Sequence, residues 1–298
     1  MPYQGSKNRI AENLVRHLPS ATHFYDLFGG GGAISHCALL SGKYKVVHYN
    51  ELDPLVFRGF QMFINGGFKT ENRWISREDF SRLKDSDPYV AICFSFANNL
   101  KNYCYDEETE AFKKAVHYSI CFNDNSKLNE YIDLSGFKYT KTDLKERRLE
   151  LQTYFTYLFQ KCYNPNLKNI EKFVSFNPTL SVKNISQNLE RLDILNNFGS
   201  GNLILTNQSY SDVQIEPDSV IYCDPPYLET GQYKIEFDHN EFYEWLRHSK
   251  NRVFISEYQM PDDFFEVYSE GKIGKFKGSK KTIEKLFSNR PAENPLEF

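Results

Sequence analysis

The chain has 298 residues, 40% hydrophobic and 25% charged, with a formal net charge of −3. That supplies a full core and suits one or two domains. No apolar run approaches the ~18 residues of a bilayer span, residues 1–20 lack the apolar block of a secretory leader, and the charge balance does not by itself mark a nucleic-acid binder. The six cysteines (Cys37, Cys93, Cys104, Cys121, Cys162 and Cys223) form no C-x-x-C pair. They point to free thiols in a reducing cytoplasm rather than to a zinc site, and the histidines show no metal-ligand spacing.

In chain order, residues 7–18 fit an amphipathic helix with Ile10, Leu14, Val15 and Leu18 on one face. Residues 23–28 read as a strand, broken by four glycines at 29–32. Residues 33–40 then read as a helix, and 45–50 as a second strand ending at Glu51. This β-loop-α-β unit is the first half of a doubly wound sheet. From about residue 68 to 179 regular βα alternation is lost among charged, aromatic and Asn-rich segments, with helices predicted at 106–121 and 143–160. A helix at 186–198 and strands at 203–206, 219–223 and 252–256 resume the α/β pattern. The expected fold is therefore α/β and Rossmann-like, with one domain formed by 1–67 and 180–298 and a mainly helical insertion at 68–179.

The chemistry concentrates in Ser219-Val-Ile-Tyr-Cys-Asp-Pro-Pro-Tyr227. A short apolar run stopping at two prolines reads as a buried strand ending at a sheet edge, where open α/β sheets bind their ligands. The prolines fix φ and make the turn rigid. Asp224 and the Pro225 carbonyl can accept hydrogen bonds from an exocyclic amine, Pro226 stiffens the turn, and Tyr227 can stack on a planar base. An ordinary strand-ending turn with a surface tyrosine is the plain alternative. Upstream, Asp26-Leu-Phe-Gly-Gly-Gly-Gly-Ala33 places glycines between a strand and a helix N-terminus, where backbone can approach a ligand. It is not G-x-G-x-x-G, so a pyrophosphate-binding dinucleotide fold fits poorly. Glu51, roughly 20 residues on, is placed for ribose hydroxyls. Two runs are locally basic. One carries Lys138, Lys141, Lys145, Arg147 and Arg148, and the other has six lysines between 272 and 285. Such runs are solvated faces or phosphate-backbone contacts.

Together these segments resemble the Dam-like (class alpha, D12-type) DNA adenine-N6 methyltransferases, over nearly the whole chain. Tyr3-Gln-Gly-Ser-Lys7 is similar to that family's N-terminal element, Asp26 to Ala33 to its glycine loop, Asn50-Glu51 to its ribose-binding acid, Ser209-Tyr-Ser-Asp212 to a segment lining the cofactor adenine, Asp224 to Tyr227 to its catalytic tetrapeptide, and Phe254-Ile-Ser-Glu-Tyr258 to its late strand motif. The chain departs in carrying Glu51 for the commoner Asp, Ser6 for Gly, and Pro2 where some members have a basic residue. The resemblance implies a Rossmann-like S-adenosylmethionine-dependent fold and methyl transfer to N6 of a flipped adenine in double-stranded DNA. It implies S-adenosyl-L-methionine held by Tyr3, Lys7, Asp26, Phe28, Gly29, Gly31, Glu51, Tyr210 and Asp224, and catalysis at Asp224, Pro225, Pro226 and Tyr227. It places Tyr258 near the flipped base and no metal in the reaction. About 190 residues separate the glycine loop from the tetrapeptide, which implies that target recognition resides in 68–179. A prokaryotic or phage origin is implied; a cognate restriction endonuclease and the oligomeric state are left open. An RNA adenine methyltransferase and a silent nucleic-acid-binding module are the rival readings.

Overall fold

The computed structural model describes residues 1, 5–162, 202–227, 237–273 and 281–291. In chain order its elements are α1 (Ala11–Arg16), β1 (Ala21–Asp26), α2 (Ala33–Leu40), β2 (Tyr44–Asn50), α3 (Pro54–Ile64), α4 (Gly67–Thr70), α5 (Arg77–Leu83), α6 (Pro88–Cys93), α7 (Glu107–Phe122), α8 (Leu144–Cys162), β3 (Leu203–Thr206), β4 (Val220–Cys223), α9 (His239–His248), β5 (Arg252–Glu257), β6 (Phe265–Ile273) and β7 (Lys281–Ser288). The chain divides into two compact units, Gly5–Phe60 with Ile194–Phe298, and Met1–Gln4 with Gln61–Asp193. No described helix is long and apolar enough to cross a membrane.

The first unit is built on a seven-stranded sheet in the order β3-β2-β1-β4-β5-β7-β6. Strands β1 to β5 are mutually parallel and β7 runs antiparallel between β5 and β6. Alternation along the strands feeds two cores. Phe24, Val220 and Tyr222 pack on one face against Leu14 and Val15 of α1 and Ile34 and Ala38 of α2. Tyr25, Ile221 and Cys223 pack on the other against Phe242 and Leu246 of α9. Helices cover both faces, which is why β4 is an unbroken buried run. The sheet is α/β and doubly wound, as expected. Its chain order reverses between β1 and β4, and such a switch point leaves a crevice outside the carboxyl ends of the strands.

Several predicted boundaries move. The first helix is shorter than 7–18 because the Lys7 carbonyl already accepts the Ile10 and Ala11 N–H groups in a preceding turn (2.9 and 2.8 Å). β1 stops at Asp26, so Phe28 lies beyond the strand. α3, α9, β6 and β7 were not anticipated: β6 and β7 lie at the sheet's end and carry charges that break the apolar run. The predicted helix at 186–198 lies outside the described residues.

The second unit is helical among the described residues, apart from one isolated bridge between Ser95 and Tyr103. Caps set its helix starts. Ser76 accepts from Asp79 N–H, Asp106 from Thr109 N–H, and Asp87 caps α6 with Pro88 in its first turn. Its core joins Phe112, Val116 and Ile120 of α7 to Leu151 and Phe155 of α8.

Candidate active site

The carboxyl ends of β1, β2, β4 and β5 gather Asp26, Glu51, Asp224 and Glu257, all within the sheet unit. At the end of β1, Asp26 accepts hydrogen bonds from the Ser35 hydroxyl (2.6 Å) and N–H (3.1 Å), tying the glycine loop to α2. Burial, reinforced by Asp224 and Glu51, pushes its carboxyl up to about 7. At the end of β2, Asn50 locks three strand ends. Its amide donates to the Leu27 and Gln208 carbonyls (3.1 and 3.0 Å), and its oxygen accepts from the Thr206 hydroxyl (2.8 Å). Glu51 follows and accepts from the N–H groups of Gly30 (2.8 Å) and Asp53 (2.9 Å), one on each oxygen. Burial still raises its carboxyl.

Phe28 stacks on Tyr210 with ring centroids 5.5 Å apart. Phe237 and Phe242 meet Phe28 edge-on at 5.8 and 5.6 Å. Tyr210 opens a 3-10 turn, Tyr210–Asp212, and stands with Phe28 at the margin of the apolar cluster containing Phe242. Together they form an aromatic wall beside the glycine loop.

The tetrapeptide follows β4. The Lys7 ammonium lies 2.7 Å from Asp224 Oδ1 and 2.7 Å from the Tyr227 hydroxyl, with Glu284 at 3.3 Å. Tyr227 donates its hydroxyl hydrogen to Glu284, and its ring meets Tyr258 edge-on at 4.8 Å. Lys7 is 5% exposed, so it is a member of the cluster and not a solvated lysine. Burial opposes its charge, yet the Asp224 and Glu284 carboxylates outweigh that and hold the ammonium above its ordinary value. Burial raises Asp224 as well, with Lys7 pulling against it. Burial and the neighbouring carboxylates drive the Tyr227 phenol far up, so it stays neutral.

Lys7, Asp26, Phe28, Gly29, Gly31, Glu51, Tyr210 and Asp224 therefore all fall in the sheet unit, Lys7 ahead of α1 and the others at or just beyond strand ends. Tyr3 and, in the lysine run at 272–285, Lys275, Lys277 and Lys280 lie outside the described residues. In the helical unit, Lys138, Lys141 and Lys145 are exposed. Lys138 and Lys141 line a cavity of about 590 Å³ with Phe137, Leu149, Tyr154 and Tyr157. Arg147 is committed elsewhere: it donates to the Lys141 and Ile120 carbonyls (2.9 and 3.2 Å) and lies over the Tyr139 ring at 5.5 Å. Arg148 is half-buried. Two further carboxylates stand close by: Glu257, which the sequence placed only in the late strand motif, and Glu284, which it did not single out as a site group. Glu257 is 3% exposed and held near 7 by burial and by Asp224 and Glu284. Glu284 is 1% exposed. Its signal was its phase: two and four residues on, Leu286 and Ser288 share its face of β7 and are also buried.

The D12 class N6 adenine-specific DNA methyltransferase family matches residues 3–259. The chain belongs to this family, and it is an adenine-specific DNA methyltransferase by that membership. No curated protein matches by sequence. Among solved structures, the chain is similar to the rRNA methyltransferase aviRa from Streptomyces viridochromogenes (12% identity, 96% of this chain and 85% of that one, TM-score 0.36). It is also similar to the putative methylase HI0767 from Haemophilus influenzae (12% identity, 97% and 91% covered, TM-score 0.32).

Proposed function

We propose that this protein transfers a methyl group from S-adenosyl-L-methionine to N6 of an adenine flipped out of duplex DNA. The observation that carries the reading is the Lys7–Asp224–Tyr227 cluster beside the switch point of the sheet, in a chain of the D12 family.

The residues present suit an adenosine-bearing sulfonium. Each Glu51 oxygen accepts one backbone N–H and keeps a lone pair for a ribose hydroxyl. Phe28 and Tyr210 offer aromatic faces for its adenine, and Asp26 holds the glycine loop that would border it. Bound there, the cofactor would supply an electrophilic methyl and depart as the neutral thioether, with one N6 proton released to solvent.

The chain's own residues prepare the nucleophile. Flipping an adenine costs a few kcal/mol, and stacking on the Tyr227 ring offsets roughly 1–3 kcal/mol of that. Asp224 accepts one amine hydrogen and the Pro225 carbonyl the other. The N6 lone pair is then directed away from the ring and toward the methyl. Pro225 and Pro226 fix the turn, so both acceptors wait in place and positioning supplies most of the acceleration. Asp224 accepts most strongly as the carboxylate, and Lys7 favours that form at 2.7 Å. Residues 68–179 serve as the target-recognition region, with exposed Lys138, Lys141 and Lys145 on the DNA backbone and Arg147 holding the Lys141 carbonyl.

The test is transfer of labelled methyl to mixed-sequence duplex DNA and to matched RNA, followed by nucleoside analysis. N6-methyladenine from DNA alone is expected. Label in RNA alone, or N4-methylcytosine, would replace the proposed substrate. Asp224→Ala is expected to abolish transfer while the variant still folds; full activity in that variant sinks the mechanism.

A further inference from the structure

Glu284 belongs to none of the motifs that carry the family resemblance, yet it stands in the middle of the site. β7 runs antiparallel to β5 with Lys285 opposite Glu257 and Leu286 opposite Ser256. The early part of β7 therefore lies beside the carboxyl end of β5, and the strand's alternation turns Glu284 inward. Its carboxylate accepts from Tyr227 and lies 3.3 Å from the Lys7 ammonium. Lys7 has three donors, and Asp224, Tyr227 and Glu284 stand around them. An apolar residue in phase with Leu286 would fill this core position without burying a charge. Burying a carboxylate there is costly unless it is paired, and its partners are the lysine and tyrosine that define the site.

We propose that Glu284 is a positioning residue for methyl transfer, anchoring the Tyr227 hydroxyl and sharing the Lys7 ammonium so that Asp224 keeps a carboxylate lone pair for the target amine. This rests on the role of Asp224 proposed above. Without Glu284, the Lys7 ammonium is shared only between Asp224 and the Tyr227 hydroxyl, and its hold on Asp224 tightens at the expense of the target amine. The Tyr227 hydroxyl also loses the Glu284 acceptor that fixes its ring.

Glu284→Gln separates charge from shape. It is expected to lower kcat about ten- to a hundredfold, the scale of a small misplacement in an active site, with little change in KM for DNA. The acid limb of the kcat profile is expected to move to lower pH, because the Glu284 charge helps hold the Asp224 carboxyl up. The other ionisable groups around the pair are Lys7 before α1, Asp26 of β1, Tyr222 of β4, Tyr227 and Glu257 of β5, and all are retained in the variant. A purely structural role for Glu284 would lower the melting temperature and leave kcat of the folded variant unchanged.

The experiment measures labelled-methyl transfer to duplex DNA between pH 5.5 and 9. It compares wild type, Glu284→Gln, Tyr227→Phe, the double variant and Asp224→Ala. If Glu284 acts through the Tyr227 hydroxyl, the losses in the two single variants will not add in the double. Wild-type kcat and an unmoved acid limb in Glu284→Gln, with Asp224→Ala inactive, overturn the proposal and leave the Asp224 mechanism standing. An active Asp224→Ala instead removes the mechanism itself. Should Glu284→Gln fail to fold, Glu284→Asp keeps the charge but withdraws its reach. That variant is expected to lose kcat with its acid limb unmoved, and wild-type kcat there overturns the proposal equally.

Discussion

At Gly29 the requirement for glycine comes from packing. An added Cβ would lie 2.2 Å from the Tyr49 ring. That ring cannot yield, since Tyr49 is fully buried, stacks on Phe60 at 4.0 Å and donates its hydroxyl to the Gly30 carbonyl at 2.8 Å. Gly32 adds a second constraint, with φ of +75° and a Cβ path blocked by Phe60 at 2.1 Å. The sequence reading took the glycines as room for a ligand; at these two positions the neighbouring rings alone demand them. Gly29→Ala is expected to cost about 1–3 kcal/mol of stability, as overpacking does, even without cofactor. Thermal denaturation checks this, and a variant melting with the wild type would return Gly29 to a ligand-only role.

At the scale of the element, the approach to α8 divides its cations. Lys138, Lys141 and Lys145 are exposed, while Arg147 is held by two carbonyls of its own unit. Replacing the three lysines with glutamine is expected to flatten the salt dependence of DNA binding. The slope of log K against log salt should fall by about 0.9 for each lysine on a phosphate. An unchanged slope would leave these lysines to solvent. α7 and α8 were legible because their caps and spacing are local: Asp106 precedes a first turn bearing Glu107, Glu108 and Glu110. β6 and β7 were not, because a terminal antiparallel pair with one solvated face carries charge in the places where a buried strand would be apolar.

For the whole molecule, the buried carboxyls set a pH dependence. Asp26 and Glu257 reach about 7 in the folded protein against ordinary values of 3.8 and 4.5. The folded state therefore binds their protons more tightly than the unfolded chain does. Their contribution is fully present below about pH 4 and is lost as pH rises through 7. Lys7, raised above 10.5, contributes throughout this range. The exposed carboxyls held low, such as Asp79 and Asp263, contribute fully above their ordinary values and lose that contribution only as pH falls below them. Burial works the other way at the Met1 amino group, lowered to about 5, and at His48, lowered to about 4, which gain stability as pH rises. The carboxyl contribution is therefore read as a difference: Asp26→Asn is expected to gain on the wild type in melting temperature as pH rises from 5 to 8. Paired melts across that range decide it, and a difference that shrinks with pH contradicts the sign.

The sequence by itself determined what is local. The glycine loop and the Asp-Pro-Pro-Tyr turn are each contiguous, Glu51 follows the loop within the same β-loop-α-β unit, and strand-loop-helix alternation placed them at the ends of a doubly wound sheet. Tertiary structure alone decided which side chains meet. Lys7 is 217 residues from Asp224, and Glu284 is 57 residues from Tyr227. No propensity or periodicity encodes such pairings; they exist because β4, β5 and an antiparallel β7 share one sheet, whose register brings a lysine, a tyrosine and two carboxylates into the same buried volume.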